Sequence, residues 1–314
     1  MSAPLARIRA RLEHDLDRGH PAALPAGMGL FHCRSTQHLH NVPLHHPTLL
    51  VVLAGEKQLI HGRDAVSAGA EELMLLPPGL VRVANRPAAD RRYLALAITF
   101  PREPAGTPPA LAEFPPQAET WTLPAPASFG ALLEQWLDLH ARHAMPGHWH
   151  AGRRDELLLS LAATTHAGHL LRSRSNTRDT VLAHISTDLR RDWQVGEVAA
   201  SLHRSPATLR RQLAREQGGF RALLEEVRMV TALGLLQGTD LPVGLVADRV
   251  GYRSASRFAE RFRARFGLLP SALRQTQQGP AADAVPTTPA AATPAFQLRV
   301  AGDCASVSGD ILTA

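Results

Sequence analysis

The sequence predicts an α+β chain: an N-terminal antiparallel β-barrel or sandwich with flanking helices, then an all-α C-terminal domain. Three observations carry this prediction. Residues up to about Phe100 hold short apolar runs punctuated by Gly and Pro. Residues 128–172 and about 179–275 place apolar side chains three and four apart. Within the last segment one pattern occurs twice.

The β-zone, 1–100, contains the runs LLVVLA (49–54), KQLIH (57–61), ELMLL (72–76), VRVA (81–84) and YLALAITF (93–100), separated by Gly55, Gly62, Gly69 and Pro77-Pro78-Gly79. Short strands at such regular intervals are the mark of a small antiparallel fold. The proline-rich stretch 101–127 reads as a connection. In 128–143, Phe129, Leu132, Leu133, Trp136, Leu137 and His140 form one helical stripe, with Ser128 as a cap and Pro146-Gly147 beyond its end. A second helix is expected over 152–172, and the pair serves packing on its own domain or pairing with a second chain. An Ala/Pro/Thr-rich tail, 276–314, lacks the apolar surface to order itself.

The repeat lies in 176–275. WQVGEVAASLHRSPATLRRQLAREQG (193–218) aligns with LPVGLVADRVGYRSASRFAERFRARFG (241–267). Each copy is a short helix, a tight turn and a second helix opening on a serine, Ser205 or Ser254. Gly218 and Gly267 suit a left-handed stop. This is a helix-turn-helix, whose second helix fits a DNA major groove. Between the copies, FRALLEEVRMVTALGLLQ (220–237) contains no proline. A helix of that length spans roughly 27 Å, which suits two reading helices about 34 Å apart, one DNA turn.

Side-chain direction sorts the two reading helices. With Leu209 and Leu213 inward, Ala207, Thr208, Arg210 and Arg211 are expected to face bases. With Phe258, Phe262 and Phe266 inward, so are Ser256, Arg257, Glu260 and Arg261. Arginine forks onto guanine O6 and N7, and glutamate accepts from cytosine N4. Arg204, Arg215, Arg253, Arg263 and Arg265 are expected on phosphates, which give affinity without sequence preference. Charge agrees: between Arg172 and Arg274 stand eighteen arginines and ten acidic residues, whereas the whole chain is only +6. A polyanion partner, double-stranded DNA, is implied for this third.

These residues resemble the C-terminal DNA-binding domain of the AraC/XylS transcription regulators, through the pattern WxxxEVAxxLHxSPxTLRRxLxxE…FxxLLxxVRxxxALxLL…LPVxxVAxxVGYxSxSxFxxxFxxxFGxxPSxLR. The resemblance covers about a third of the chain and is most specific at Gly251-Tyr252, Phe258 to Phe266, Gly267 and Pro270-Ser271. It implies a seven-helix, two-headed unit and a sequence-specific regulator, an activator acting on RNA polymerase. It further implies a cupin-like N-terminal β-barrel for an effector and for dimerisation. Ala207 departs from the family, which often has a larger residue there.

Other chemistries find less support. His32, His38, His40, His45 and His46 cluster early, with His38-Leu39-His40 a chelating spacing. No acid follows until Glu56, and Arg82 stands where a metal cupin has its third histidine. No metal or other cofactor is therefore expected, and His38, His40 and Arg82 are candidates for an effector pocket. GxSxG, P-loop, HExxH and GxGxxG patterns are lacking, so the chain does not read as an enzyme. Two cysteines, Cys33 and Cys304, suit a reducing cytoplasm. The longest apolar runs fall far short of the roughly 20 residues of a membrane span. Two alternatives stand beside the regulator: a cupin-type metalloenzyme with a basic accessory domain, and a nonspecific nucleoid-binding protein.

Overall fold

A computed structural model describes residues 2–19, 24–61, 64–76, 78–89, 92–101, 122–143, 146–165, 176–216 and 218–278. Most of the 101–127 connection, the end of the 152–172 helix, and the tail beyond 278 lie outside the described residues.

The β-zone is two facing antiparallel sheets rather than a closed barrel, with strands β1 (Met28–Cys33), β2 (Gln37–Leu44), β3 (Thr48–Ala54), β4 (Glu56–His61), β5 (Asp64–Ala68), β6 (Glu72–Leu76), β7 (Gly79–Arg86), β8 (Tyr93–Thr99) and β9 (Thr122–Pro124). One sheet has the order β1-β8-β3-β6-β9 and the other β2-β7-β4-β5. β9 pairs with β6 inside the stretch expected to be a plain connection.

β3 is buried at all seven positions, because its sheet is covered on both faces. Such strands read as unbroken apolar runs. Leu50, Val52, Met74 and Tyr93 face the second sheet, whereas Leu49, Val51, Leu73, Leu96 and Ile98 face a layer of helices. That layer is α1 (Ala3–Asp17), α2 (Ala127–Arg142) and α3 (Gly147–Thr165). Leu5, Ile8 and Leu12, spaced three and four apart, drive α1 onto β3 and α2. The predicted α2 stripe is buried at Phe129, Leu133, Trp136 and Leu137. The cap differs from expectation: Pro126 is the cap residue, and Ser128 Oγ instead lies 3.0 Å from Ser160 Oγ on α3.

Seven helices follow: α4 (Thr177–Ile185), α5 (Val195–Ser201), α6 (Pro206–Arg215), α7 (Phe220–Gly238), α8 (Val243–Arg249), α9 (Ala255–Phe266) and α10 (Pro270–Gln278). α10 runs three residues past the expected domain end at 275. Ser205 Oγ accepts from Thr208 N at 3.1 Å and Ser254 Oγ from Arg257 N at 3.3 Å, as the serine caps require. Gly267 ends α9 with φ +85°.

The tight turns obey the same geometry with different residues. His203 supplies φ +52° in the first unit and Gly251 φ +86° in the second. Gly251 has no substitute, since a Cβ there would lie 2.3 Å from the Leu189 carbonyl oxygen and 3.0 Å from the Arg228 guanidinium. Gly251→Ala combines left-handed strain with this overlap and is expected to cost roughly 2 kcal/mol or more, read as a lower denaturation midpoint.

A buried polar chain joins the two halves of the protein. Lys57 Nζ donates to Asn85 Oδ1 at 2.7 Å, and Asn85 Nδ2 to Gln37 Oε1 at 3.0 Å. Gln37 Nε2 donates to Thr276 Oγ1 on α10 at 2.6 Å, and Gln237 Nε2 at the end of α7 donates to Gln37 Oε1 at 3.4 Å. An ammonium only donates, so Lys57 sets which way each amide in the chain points. Burial lowers the Lys57 pKa to about 8, which leaves it mostly charged at neutral pH. Asn85→Leu would strand that charge and is expected to cost about 3 kcal/mol. The double variant Lys57→Met/Asn85→Leu should recover part of the loss in a denaturant titration, because both partners are then apolar.

Candidate nucleic-acid interface

α6 and α9 are built alike: a serine cap, two or three inward apolar anchors, and an exposed basic face. Leu209 and Leu213 of α6 are 0 % and 2 % exposed; Phe258, Phe262 and Phe266 of α9 are 0 % exposed. The α9 rings meet in series, tilted or edge-to-face, with centroids 5.7 and 4.7 Å apart, and Tyr252 meets Phe258 edge-on at 5.5 Å. Opposite these anchors, Ala207, Arg210, Arg211, Ser256, Arg257, Glu260 and Arg261 are exposed and Thr208 is half-exposed.

The arginines divide into free and engaged groups. Among the described residues, the guanidiniums of Arg210, Arg211, Arg215, Arg253, Arg257 and Arg263 make no ion pair or side-chain hydrogen bond and stand open to an anionic ligand. Arg261 Nε lies 3.9 Å from Glu225 Oε1, which also accepts from the Tyr252 hydroxyl at 2.6 Å. Thr208 and Ser256 hydroxyls lie against the capping serines at 2.9 Å.

Two arginines expected on phosphates are used inside the protein. Arg204 Nη1 donates to Gln212 Oε1 at 2.9 Å and Thr177 Oγ1 at 3.3 Å, binding the first turn to α4. Arg265 donates through Nη2 to Glu226 Oε2 at 2.7 Å and through Nε to the Asn41 carbonyl at 3.2 Å. Helical spacing put Arg265 outward, but β2 of the N-terminal domain packs against α9 and covers that flank. The effector-pocket candidates lie at the surface. His38, His40 and Arg82 are exposed on the outer face of the second sheet, because alternation turns Gln37, Leu39, Val81 and Val83 inward. Cys33 is buried, and its thiol is pushed up to about 12 by desolvation, the state of a packed residue and not of a nucleophile. Among the described residues no group of three or more His, Cys, Asp or Glu side chains could hold a metal ion.

Residue-type reasoning missed the groups that hold the two reading units together. Arg228 on α7 donates to the Leu189 carbonyl at 3.0 Å and the Arg191 carbonyl at 2.9 Å. Arg190 pairs with Asp248 at 3.3 Å, linking the stretch before α5 to α8. Glu216 accepts from the Thr177 and Arg178 amides at the start of α4. Charged residues inside the linker were the available signal, since a helix between two packed units buries some of its polar side chains.

Comparison with known proteins agrees with this geometry. Residues 198–276 match a helix-turn-helix domain family. Over 106 residues the chain is 38 % identical to an uncharacterised HTH-type transcriptional regulator of Mycobacterium tuberculosis, covering 32 % of this chain and 31 % of that protein. Over 98 residues it is 34 % identical to the urease operon transcriptional activator of Escherichia coli, covering 31 % and 33 %. The chain thus spans about a third of the length of the curated relatives it matches. Among solved structures, unsaturated fatty acid-bound ToxT from Vibrio cholerae aligns with a TM-score of 0.55 at 12 % identity, over 82 % of this chain and 97 % of that one, a likeness of fold. The C-terminal part of the chain accordingly matches a helix-turn-helix domain, and the chain as a whole shares the fold of ToxT.

Proposed function

We propose that this protein is a sequence-specific transcription regulator, an activator working through RNA polymerase, that lays α6 and α9 in successive major grooves on one face of DNA. The observation that carries the reading is the pair of exposed arginine faces held on one unbroken helix. α7 runs from Phe220 to Gly238, 19 residues and so roughly 28 Å, close to one turn of DNA.

Arg210, Arg211, Arg257 and Arg261 are the base-reading arginines, with Glu260 as acceptor for a cytosine amine and Ala207, Thr208 and Ser256 completing the surface. Arg215, Arg253 and Arg263 meet phosphates. Arg204 and Arg265 join them only if DNA draws them from their present partners. The N-terminal domain is the regulatory input, for a small molecule or a protein. The exposed positions of His38, His40 and Arg82 suit a surface contact. Pairing of two chains, if it occurs through α2 and α3, uses their outer faces, where Trp149 is 51 % exposed, because the α2 stripe is already covered. Action on DNA places the protein in the cytoplasm, and no helix among the described residues is long and apolar enough to cross a membrane.

Arg211→Ala and Arg257→Ala are each expected to weaken binding to a duplex selected from a random pool by about 10-fold or more, a loss of 1–3 kcal/mol per bidentate base contact. Binding to unselected DNA should change little. Equal losses on both would make these residues phosphate contacts. Similar affinity of the unmodified protein for all duplexes at moderate salt would favour the nucleoid-binding alternative, and stoichiometric iron, manganese or zinc in the purified protein would favour the metalloenzyme.

A further inference from the structure

Three parts of the protein converge on one carboxylate. Glu226, on the first half of α7, has a side chain only 14 % exposed. Its Oε1 accepts from Arg178 Nη2 on α4, part of the first reading unit. Its Oε2 accepts from Arg265 Nη2 at 2.7 Å, on the second recognition helix. His45 Nδ1, from the loop after β2, lies 3.4 Å from Oε1. Burial, with the neighbouring Arg178, His46 and Arg265 charges, lowers the His45 pKa to about 3. Its buried Nε2 has no hydrogen-bond partner.

The division of the carboxylate is the informative part. Each oxygen takes one arginine, and the two arginines belong to different reading units. Arg265 is fixed a second time by the Asn41 carbonyl at 3.2 Å, so the N-terminal domain grips the same helix at the same point. Glu226 occupies a position that the FxxLLxxVR pattern leaves open. Removing its charge would leave two guanidiniums facing each other with no anion between them, a repulsive arrangement in a partly desolvated place.

We propose that Glu226 is a positioning residue that fixes α9 relative to the first reading unit and thereby sets the half-site spacing the protein accepts on DNA. The proposal rests on the two-headed reading above. One inserted base pair shifts the second half-site by about 3.4 Å and about 35°, and a rigidly tied pair of heads cannot follow it.

The test uses the full chain and a duplex recovered from a random pool by the unmodified protein, then remade with one or two base pairs inserted between the half-sites. The unmodified protein should lose about 30-fold or more in affinity on insertion. Glu226→Gln should bind the original spacing about 10-fold more weakly, lose less than about threefold on insertion, and bind each isolated half-site within about twofold of the unmodified protein. Arg265→Gln, which removes the Glu226 and Asn41 contacts of α9 together and leaves Arg178 paired, should relax spacing in the same way and decides the matter if Glu226→Gln fails to fold. A preferred duplex whose spacing penalty is unchanged in the folded variants would overturn the positioning role while leaving the regulator reading intact. A pool yielding no preferred duplex would overturn both.

Discussion

The structure depends on α7 being covered on nearly every side. Leu223, Leu224, Val227, Met229, Thr231, Ala232, Leu233, Leu235, Leu236 and Gln237 are all buried, a set far wider than one amphipathic stripe. The helix packs against α4 of the first unit, α8 and α9 of the second, and β1 of the N-terminal domain. One apolar cluster runs from the interior of the sheets through α7 to the phenylalanines of α9. Burial of this kind supplies attraction but little direction, so the polar groups at its rim must fix the geometry.

Those groups are economical. The Gln37–Asn85–Lys57 chain holds the C-terminal ends of α7 and α10 to the second sheet, Arg228 holds the linker to the loop before α5, and Glu226 gathers the remaining parts. The Gln37–Asn85–Lys57 chain and Glu226 are sheltered from solvent, where an unpaired polar atom is costly and a satisfied one specifies a single arrangement; Arg228 is half-buried. The arginines on the exposed faces of α6 and α9 follow the opposite logic. Apart from Arg261, which lies 3.9 Å from Glu225, they make no ion pair among the described residues, so a phosphate or guanine edge meets them without first breaking an internal contact.

Much of the fold was legible in local pattern. The apolar runs at 49–54, 72–76 and 93–100 became β3, β6 and β8, because a sheet covered on both faces needs no polar alternation. The helix boundaries at Ser205 and Ser254 were readable since the serine hydroxyl supplies a bond the first turn lacks. β1, β2 and β5 were not separated from the histidine-rich and glycine-rich stretches around them, and three-residue β9 exists only through its pairing with β6. α1 was overlooked although Leu5, Ile8 and Leu12 carry its spacing; the intervening charges belong to its exposed face.

By itself the sequence determined the duplicated reading unit, the serine caps at Ser205 and Ser254, the inward leucines and phenylalanines, and the exposed basic faces, because helical periodicity and capping act over only a few residues. Tertiary structure decided that the sheets stay open, that His38, His40 and Arg82 point away from the interior, and that Arg204 and Arg265 are occupied. Those outcomes depend on which surfaces meet. Arg265 has the spacing of a solvent-facing side chain, and only the arrival of Asn41 and Glu226, 224 and 39 residues away in the chain, turns it into a link between domains.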